Sequence, residues 1–184
     1  MDDDEITRHA FAAARGDRAA AERFVAATQR QLHRLLAYLS DPGVAEDLAQ
    51  ETYLRAFAAL PSFAGRSPAR MWLLSIGKRV AADHLRTSRR RPRTSQVEDW
   101  VAVAERGAAR SPDHGRLVVL RKLVAELEPE RREAFVLTQV IGLSYAEAAQ
   151  VCDCAIGTIR SRVFRAREDL TTAMGAGGRA ASLG

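Results

Sequence analysis

With two cysteines in 184 residues, the chain is no disulfide-stapled scaffold, and the C-x-C pair Cys152 and Cys154 is poorly placed to close an intrachain bridge. That usage fits a reducing, cytoplasmic location. A membrane span needs roughly 18 consecutive apolar residues, and no run here approaches that length. The N-terminus, MDDDEITRHA, is acidic where a secretion signal is basic and then apolar, so no membrane partner is expected. No Gly-rich phosphate loop or paired-carboxylate motif stands out, and the adjacent Asp83 and His84 point to different parts of a helix, so no enzyme chemistry is legible. No cofactor is expected, and no metal. A metal would want further Cys or His beside Cys152 and Cys154, and the nearest histidine, His114, lies 38 residues upstream of Cys152.

Glycine (12) and proline (6) are sparse and gather at a few joints, while alanine, leucine, arginine and glutamate dominate. That composition favours helices over strands. Hydrophobic residues make up 47% and charged residues 28%, enough apolar content to build a core. The expected class is all-α, with one domain or two small ones.

The charge is unevenly spread. Residues 1–60 carry 7 bases against 10 acids, whereas residues 61–93 carry 9 bases against 1 acid. The remaining segments are close to neutral, and the net charge is +5. A basic block beside an acidic one implies an anionic partner on one surface and a different, protein partner on another.

Periodicity divides the chain further. Phe24, Leu32, Leu35, Leu36 and Leu39 mark an amphipathic helix ended by Ser40, Asp41, Pro42 and Gly43. Across EDLAQETYLRAFAAL, Ala49, Tyr53, Ala56 and Leu60 share one face, and Asp47, Gln50, Glu51 and Arg55 share a polar one. A long helix from about Ala69 to Arg90 buries Leu73, Ile76 and Val80 and places Lys78, Arg79, Arg86, Arg89 and Arg90 within an arc of roughly 120°. Pro92 disfavours helix at Arg91. Residues 93–115 lack a sustained period and read as a linker, with VEDWVAVAE at most a marginal helical turn.

A second helical unit starts near Leu117, with Leu117, Leu120, Val124 and Leu127 on one face. Pro129 opens the next helix and Gly142 closes it. Ser144-x-x-Glu147 is a capping box before a short helix with Ala146, Ala149 and Val151 for packing. A turn and the arginine-rich IGTIRSRVFRAREDL complete the outline of a helix-turn-helix. Residues 171–184 are Gly/Ala-rich and expected to be disordered.

Cys152 and Cys154 flank the joint of that motif, where compact apolar residues are needed; redox sensing and metal binding are the alternatives. In the second helix Ile156, Ile159 and Val163 face inward, leaving Thr158, Arg160, Ser161, Phe164, Arg165 and Arg167 outside. Arginine reads guanine or neutralises phosphate, serine bonds base or phosphate, and an exposed phenylalanine touches a thymine methyl. A DNA-reading face follows.

Three ordered stretches carry a family resemblance. GLSYAEAAQVCDCAIGTIRSRVFRARE (Gly142 to Glu168) resembles the promoter-reading module of the extracytoplasmic-function (ECF, group IV) sigma factors of the sigma-70 family. DLAQETYLRAFAALPSF (Asp47 to Phe63) resembles their polymerase-binding helix, and MWLLSIGKRVAADHLRTSRRRPR (Met71 to Arg93) their segment that melts and reads the -10 element. The resemblance implies two helical domains joined by a flexible linker: region 2 at residues 1–92, a linker at 93–115, region 4 at 116–170 and a tail at 171–184. It further implies an alternative sigma factor that binds core RNA polymerase and directs promoter recognition, melting and initiation.

On that pattern Asp47, Gln50, Glu51 and Arg55 dock on the clamp of the polymerase largest subunit, and region 4 meets the flap. Lys78, Arg79, Arg86, Arg89 and Arg90 grip double-stranded and melted promoter DNA at the -10 element, a flipped base lying around Gly77 to Arg79. Thr158, Arg160, Ser161, Phe164, Arg165 and Arg167 read the -35 element. The linker threads the polymerase cleft, and an anti-sigma factor is a further partner the resemblance makes possible. Two positions depart from the family: many members carry Asn at Arg79, and a proline is frequent at Ala155. The alternative is a free-standing helix-turn-helix regulator, which needs only one module and a dimer face. No long heptad seam for such a face stands out.

Overall fold

The computed structural model describes residues 1–90 and 112–181, with side chains described over 1–88 and 118–175. Among the described residues every regular element is helical. The first unit holds α1 (Asp3–Ala14), α2 (Arg18–Leu39), α3 (Ala45–Ala59) and α4 (Ala69–Arg90), with short 3-10 turns at Pro42–Val44 and Leu60–Ser62. The second holds α5 (Pro112–Glu126), α6 (Pro129–Phe135), a π-helical turn (Val136–Val140), α7 (Tyr145–Cys152) and α8 (Ile156–Ala181). The expected architecture, two small helical domains, is the one observed.

In the first unit Phe24, Leu32, Leu35, Leu36, Leu60, Met71, Leu73 and Leu74 are fully buried. They lie on the inward faces that a 3.6-residue period assigns to α2 and α4, with Leu60 in the 3-10 turn that follows α3. Gly77 lies where α4 crosses α2, and a Cβ there would stand 2.7 Å from Leu32 Cδ1. Gly77 therefore serves the helix crossing.

α1 is not legible as a helix in the periodicity, yet its start is well specified. Asp2 caps it by accepting from Glu5 N at 2.8 Å, three acidic residues occupy its first turn, and Ile6 and Ala10 are buried; acids there suit the helix dipole. It also completes α4: Thr7 Oγ1 accepts from Ala69 N at 3.0 Å, supplying one of the caps that a helix start needs. Phe11 stacks near Phe63 at 5.3 Å, and Phe63 near Trp72 at 4.8 Å. Trp72 is thus a packing aromatic, as its side of the helix predicts.

The second unit buries Val124, Leu127, Leu137, Val151, Ile159, Val163 and Leu170. Four sequence expectations change here. α5 begins at Pro112 rather than near Leu117. Leu120 is exposed together with Val118 and Val119, because three consecutive residues fan around a helix and only its last turn, with Val124 and Leu127, reaches the core. Ala148 takes the inward place expected for Ala146, which lies exposed in the first turn of α7. Ile156, the first residue of α8, is likewise exposed, and the inward series runs Ile159, Val163, Ala166, Leu170.

The tail expected to be disordered from residue 171 continues α8 to Ala181. Thr171 Oγ1 donates to Arg167 O at 2.8 Å, and the alanines beyond it favour helix. VEDWVAVAE and most of the proposed linker lie outside the described residues.

Candidate nucleic-acid interface

The helix-turn-helix is built by local rules. Ser144 Oγ accepts from Glu147 N at 3.2 Å and Glu147 Oε2 accepts from Ser144 N at 2.7 Å, the reciprocal capping box foreseen in the sequence. α7 ends at Asp153, whose φ of 52° is left-handed, and whose N–H donates back to the last turn. That reversal delivers α8 across α7.

Cys152 and Cys154 are both free and partly buried against the core. Burial pushes the Cys152 thiol up to about 12, the opposite of a reactive thiolate. Arg162 Nη1 lies 3.9 Å from Cys154 Sγ, and the same guanidinium bonds Glu130. Arg162 is thereby turned to the protein, away from the outward face.

That outward face carries what the sequence assigned to it. Arg160, Ser161, Phe164, Arg165 and Arg167 are exposed and Thr158 half-buried. Phe164 is 62% exposed, a large apolar ring held in water between arginines. Arg167 Nη2 donates to Gln139 Oε1 at 2.7 Å, which steadies it at the edge of the face.

On α3, Asp47, Gln50 and Arg55 are exposed and Glu51 half-buried, with Leu54 beside them at 68% exposure. Leu54 is an apolar residue that the polar reading of this face passed over. Arg55 pairs with Glu51 at 2.7 Å and with Asp83 of α4 at 3.0 Å, and Asp83 also bonds Arg86. Hydrogen bonds from Arg55 and then Arg86 hold the Asp83 carboxyl below the usual carboxylate range. Asp83 had no role in the sequence reading; it joins the two predicted surfaces, because α3 and α4 lie side by side.

The basic stripe of α4 divides into three parts. Arg79 and Arg86 are exposed. Lys78 has only 19% of its side chain exposed and lies 3.3 Å from Glu133 of α6. Arg89 and Arg90 lie on the last turn of α4, and their side chains are outside the described residues.

The second unit thus reaches the first, which nothing in the sequence signalled. Arg70 is the larger junction. It bonds Asp3 through two nitrogens at 2.6 and 2.8 Å, Gln31 at 3.3 Å and Glu147 of α7 at 3.2 Å. Gln31 Nε2 donates to Ile141 O at 3.4 Å, and the Arg121 guanidinium lies 5.2 Å from the centre of the Tyr38 ring. A cleft of about 440 Å³ opens between α4 and α6, its lining including Lys78, Arg79, Arg86, Arg132 and Glu133.

Two helical units, one carrying the basic stripe of α4 and the other a complete helix-turn-helix, define an all-α protein of two modules. Known proteins sharpen that class. The sigma-70 region 2 family matches residues 24–91 and the sigma-70 region 4 family residues 117–170. The chain is 49% identical over 171 residues to the probable RNA polymerase sigma-C factor of Mycobacterium bovis, covering 92% of this chain and 91% of that one. It is 34% identical to the ECF RNA polymerase sigma-E factor of Escherichia coli K12, over 84% and 86% of the two chains.

Among solved structures it is similar to CnrH in complex with the cytosolic domain of CnrY, with TM-score 0.73 and 26% identity over 95% of this chain and 99% of that one. It is also similar to the sigma factor RpoE of Bartonella quintana in complex with the anti-sigma factor NepR, with TM-score 0.63 and 28% identity over 84% and 96%. The chain belongs to the ECF RNA polymerase sigma factors of the sigma-70 family and is an alternative sigma factor.

No helix among the described residues is long and apolar enough to cross a membrane.

Proposed function

We propose that the chain acts in the cytoplasm without catalysis of its own, binding bacterial core RNA polymerase and promoter DNA through separate faces. Residues 1–92 form the polymerase-binding and -10-reading domain, residues 116–170 the -35-reading domain, and residues 93–115 the connection that threads the polymerase. The clamp of the largest subunit takes Asp47, Gln50, Glu51 and Arg55, with Leu54 as an apolar anchor amid charges that set register. The flap takes the second domain, where Val118, Val119 and Leu120 offer an apolar contact apart from the DNA-reading residues.

Arg160, Ser161, Phe164 and Arg165 contact bases or adjacent phosphates of the -35 element in the major groove, with Thr158 at the helix start and Arg167 on phosphate. Arg79 and Arg86, with Lys78, Arg89 and Arg90, neutralise phosphates near the -10 element. An anti-sigma factor, of the kind bound to the solved RpoE, is a further partner. The observation that carries this reading is the exposed Phe164 flanked by Arg160 and Arg165 on a capped helix-turn-helix.

Run-off transcription with core polymerase and a pool of promoter fragments tests it. Start sites that share two spaced upstream elements are the expected result. No transcripts, combined with tight palindrome binding by the chain alone, would replace it with the free-standing regulator.

A further inference from the structure

The outward face of α8 begins one turn before the residues already assigned to it. At about 100° per residue, Arg160, Ser161, Phe164 and Arg165 lie about −60°, +40°, −20° and +80° around the helix from Gly157. Gly157 is exposed and stands at the centre of that arc. The midline of the face therefore runs Gly157, Ser161, Phe164: no side chain, a small one, then a ring that is 62% exposed.

Nothing inside the protein asks for glycine at this position. A Cβ built on Gly157 meets no atom within 4 Å, and the residue lies in α8 without the positive φ held by Gly16, Gly65 and Gly142. Gly77 is the contrast, since there Leu32 leaves no room. Glycine is a poor helix former, so at Gly157 it weakens the fold and adds no contact. A glycine that the fold does not use suits a place where the backbone itself is approached from outside.

We propose that Gly157 is a positioning residue for promoter recognition: its missing side chain lets the first turn of α8 come into van der Waals contact with the -35 duplex and sets how deeply the helix enters the major groove. That the duplex is promoter DNA rests on the function proposed above.

The dimensions suit it. A major groove about 12 Å wide leaves little space around a helix about 10 to 12 Å across. A helix whose midline grows from glycine to phenylalanine over two turns fits inclined, with its first turn deepest, and recognition helices commonly contact bases through their N-terminal residues. Phe164 then spans the wider gap, and Arg160 and Arg165 reach out on either side. A methyl group at position 157 would hold the helix off and lengthen those contacts with it, without any change of charge.

The same helix supplies a control. Gly175 is also exposed with open space around it. It lies 18 residues further on, about five turns, and so on the same line of the helix but about 27 Å away.

Gly157→Ala, Gly157→Leu, Gly175→Ala and Phe164→Ala are compared with wild type. Three quantities are read: the thermal midpoint of the free chain by circular dichroism, the affinity for core RNA polymerase, and the affinity of the assembled holoenzyme for a fluorescent promoter fragment recovered from the run-off pool. Both glycine-to-alanine changes are expected to raise the midpoint by a few degrees. Of these two, only Gly157→Ala weakens promoter binding, by about tenfold to a hundredfold, the loss that overpacking a closed contact imposes. Gly157→Leu weakens it further, Phe164→Ala weakens it as well, and core affinity is unchanged throughout.

Unchanged promoter binding in Gly157→Ala, with a loss in Phe164→Ala, overturns the close approach and leaves the promoter reading standing. No loss in Phe164→Ala removes both. A lowered midpoint in Gly157→Ala means that the fold itself needs the glycine, and it overturns the positioning role, as does an equal loss of promoter binding in Gly175→Ala. A fall in core affinity that accounts for the fall in promoter binding gives this face to the polymerase instead.

Discussion

At Gly77 the backbone of α4 comes so near α2 that a single methyl group would meet the fully buried Leu32 at 2.7 Å. Alanine in a helix is normally better than glycine by about 1 kcal/mol, but overpacking a closed core costs about 1 to 3 kcal/mol. Gly77→Ala is therefore expected to lower the unfolding free energy, read by urea denaturation, and an increase would mean that Leu32 yields freely. Asp153 presents the reverse case. It holds a left-handed φ of 52° that only glycine adopts without strain, and Asp153→Gly is expected to raise stability by about 0.5 to 1 kcal/mol with the helix-turn-helix unaltered.

Asp3 gives a pH dependence. Its hydrogen bonds to Arg70 hold the carboxyl below the usual carboxylate range, against the opposing effect of burial. A carboxyl with a depressed folded value contributes stability above its unfolded pKa of about 3.9 and loses it as pH falls through the folded value. Acid unfolding of the wild type should accordingly steepen below about pH 4, and Asp3→Asn should flatten that limb; identical acid profiles would deny the pair any energetic role.

Among the elements, α8 presents the outward face proposed to read the promoter, and α7 with its turn positions that helix. Arg160→Ala is expected to weaken promoter binding by about 1 to 3 kcal/mol and to relax preference at one -35 position; transcription from a randomised -35 library reads this, and an equal loss on every sequence would make Arg160 a phosphate contact instead. Ser144→Ala, which removes one half of the capping box, should cost about 1 kcal/mol of stability without altering which sequences are preferred. The capping box and the inward positions Ile159 and Val163 were legible because both follow from spacing along one helix. The exposure of Leu120 and Ile156 was not, since a period tells which residues share a face but not how far along the helix a neighbour extends. α1 escaped the reading for a related reason: its buried residues are few, and its role, capping α4 through Thr7, exists only once the two are side by side.

For the whole molecule, the separation of charge along the chain pointed to an anionic partner and a distinct protein partner, both of which remain part of the proposed function. It did not foretell that the second domain would set its own acids against the first domain's bases. Arg70 and Glu133 look like ordinary solvated charges in their own segments, Asp83 showed no acid-base partner, and Glu147 read only as a helix cap. Their partners lie 28 to 77 residues away in sequence.

By itself the sequence determined the helical class, the two modules, the capped helix-turn-helix and the outward arginines and phenylalanine of α8, because these depend on spacing within one helix and on turn chemistry, which are local. Only the tertiary structure decided that Gly77 serves the helix crossing and that Lys78 and Arg70 are covered by Glu133 and Glu147. Those outcomes depend on distances between helices remote in the chain, and such distances are set by how whole apolar faces pack together rather than by any single segment.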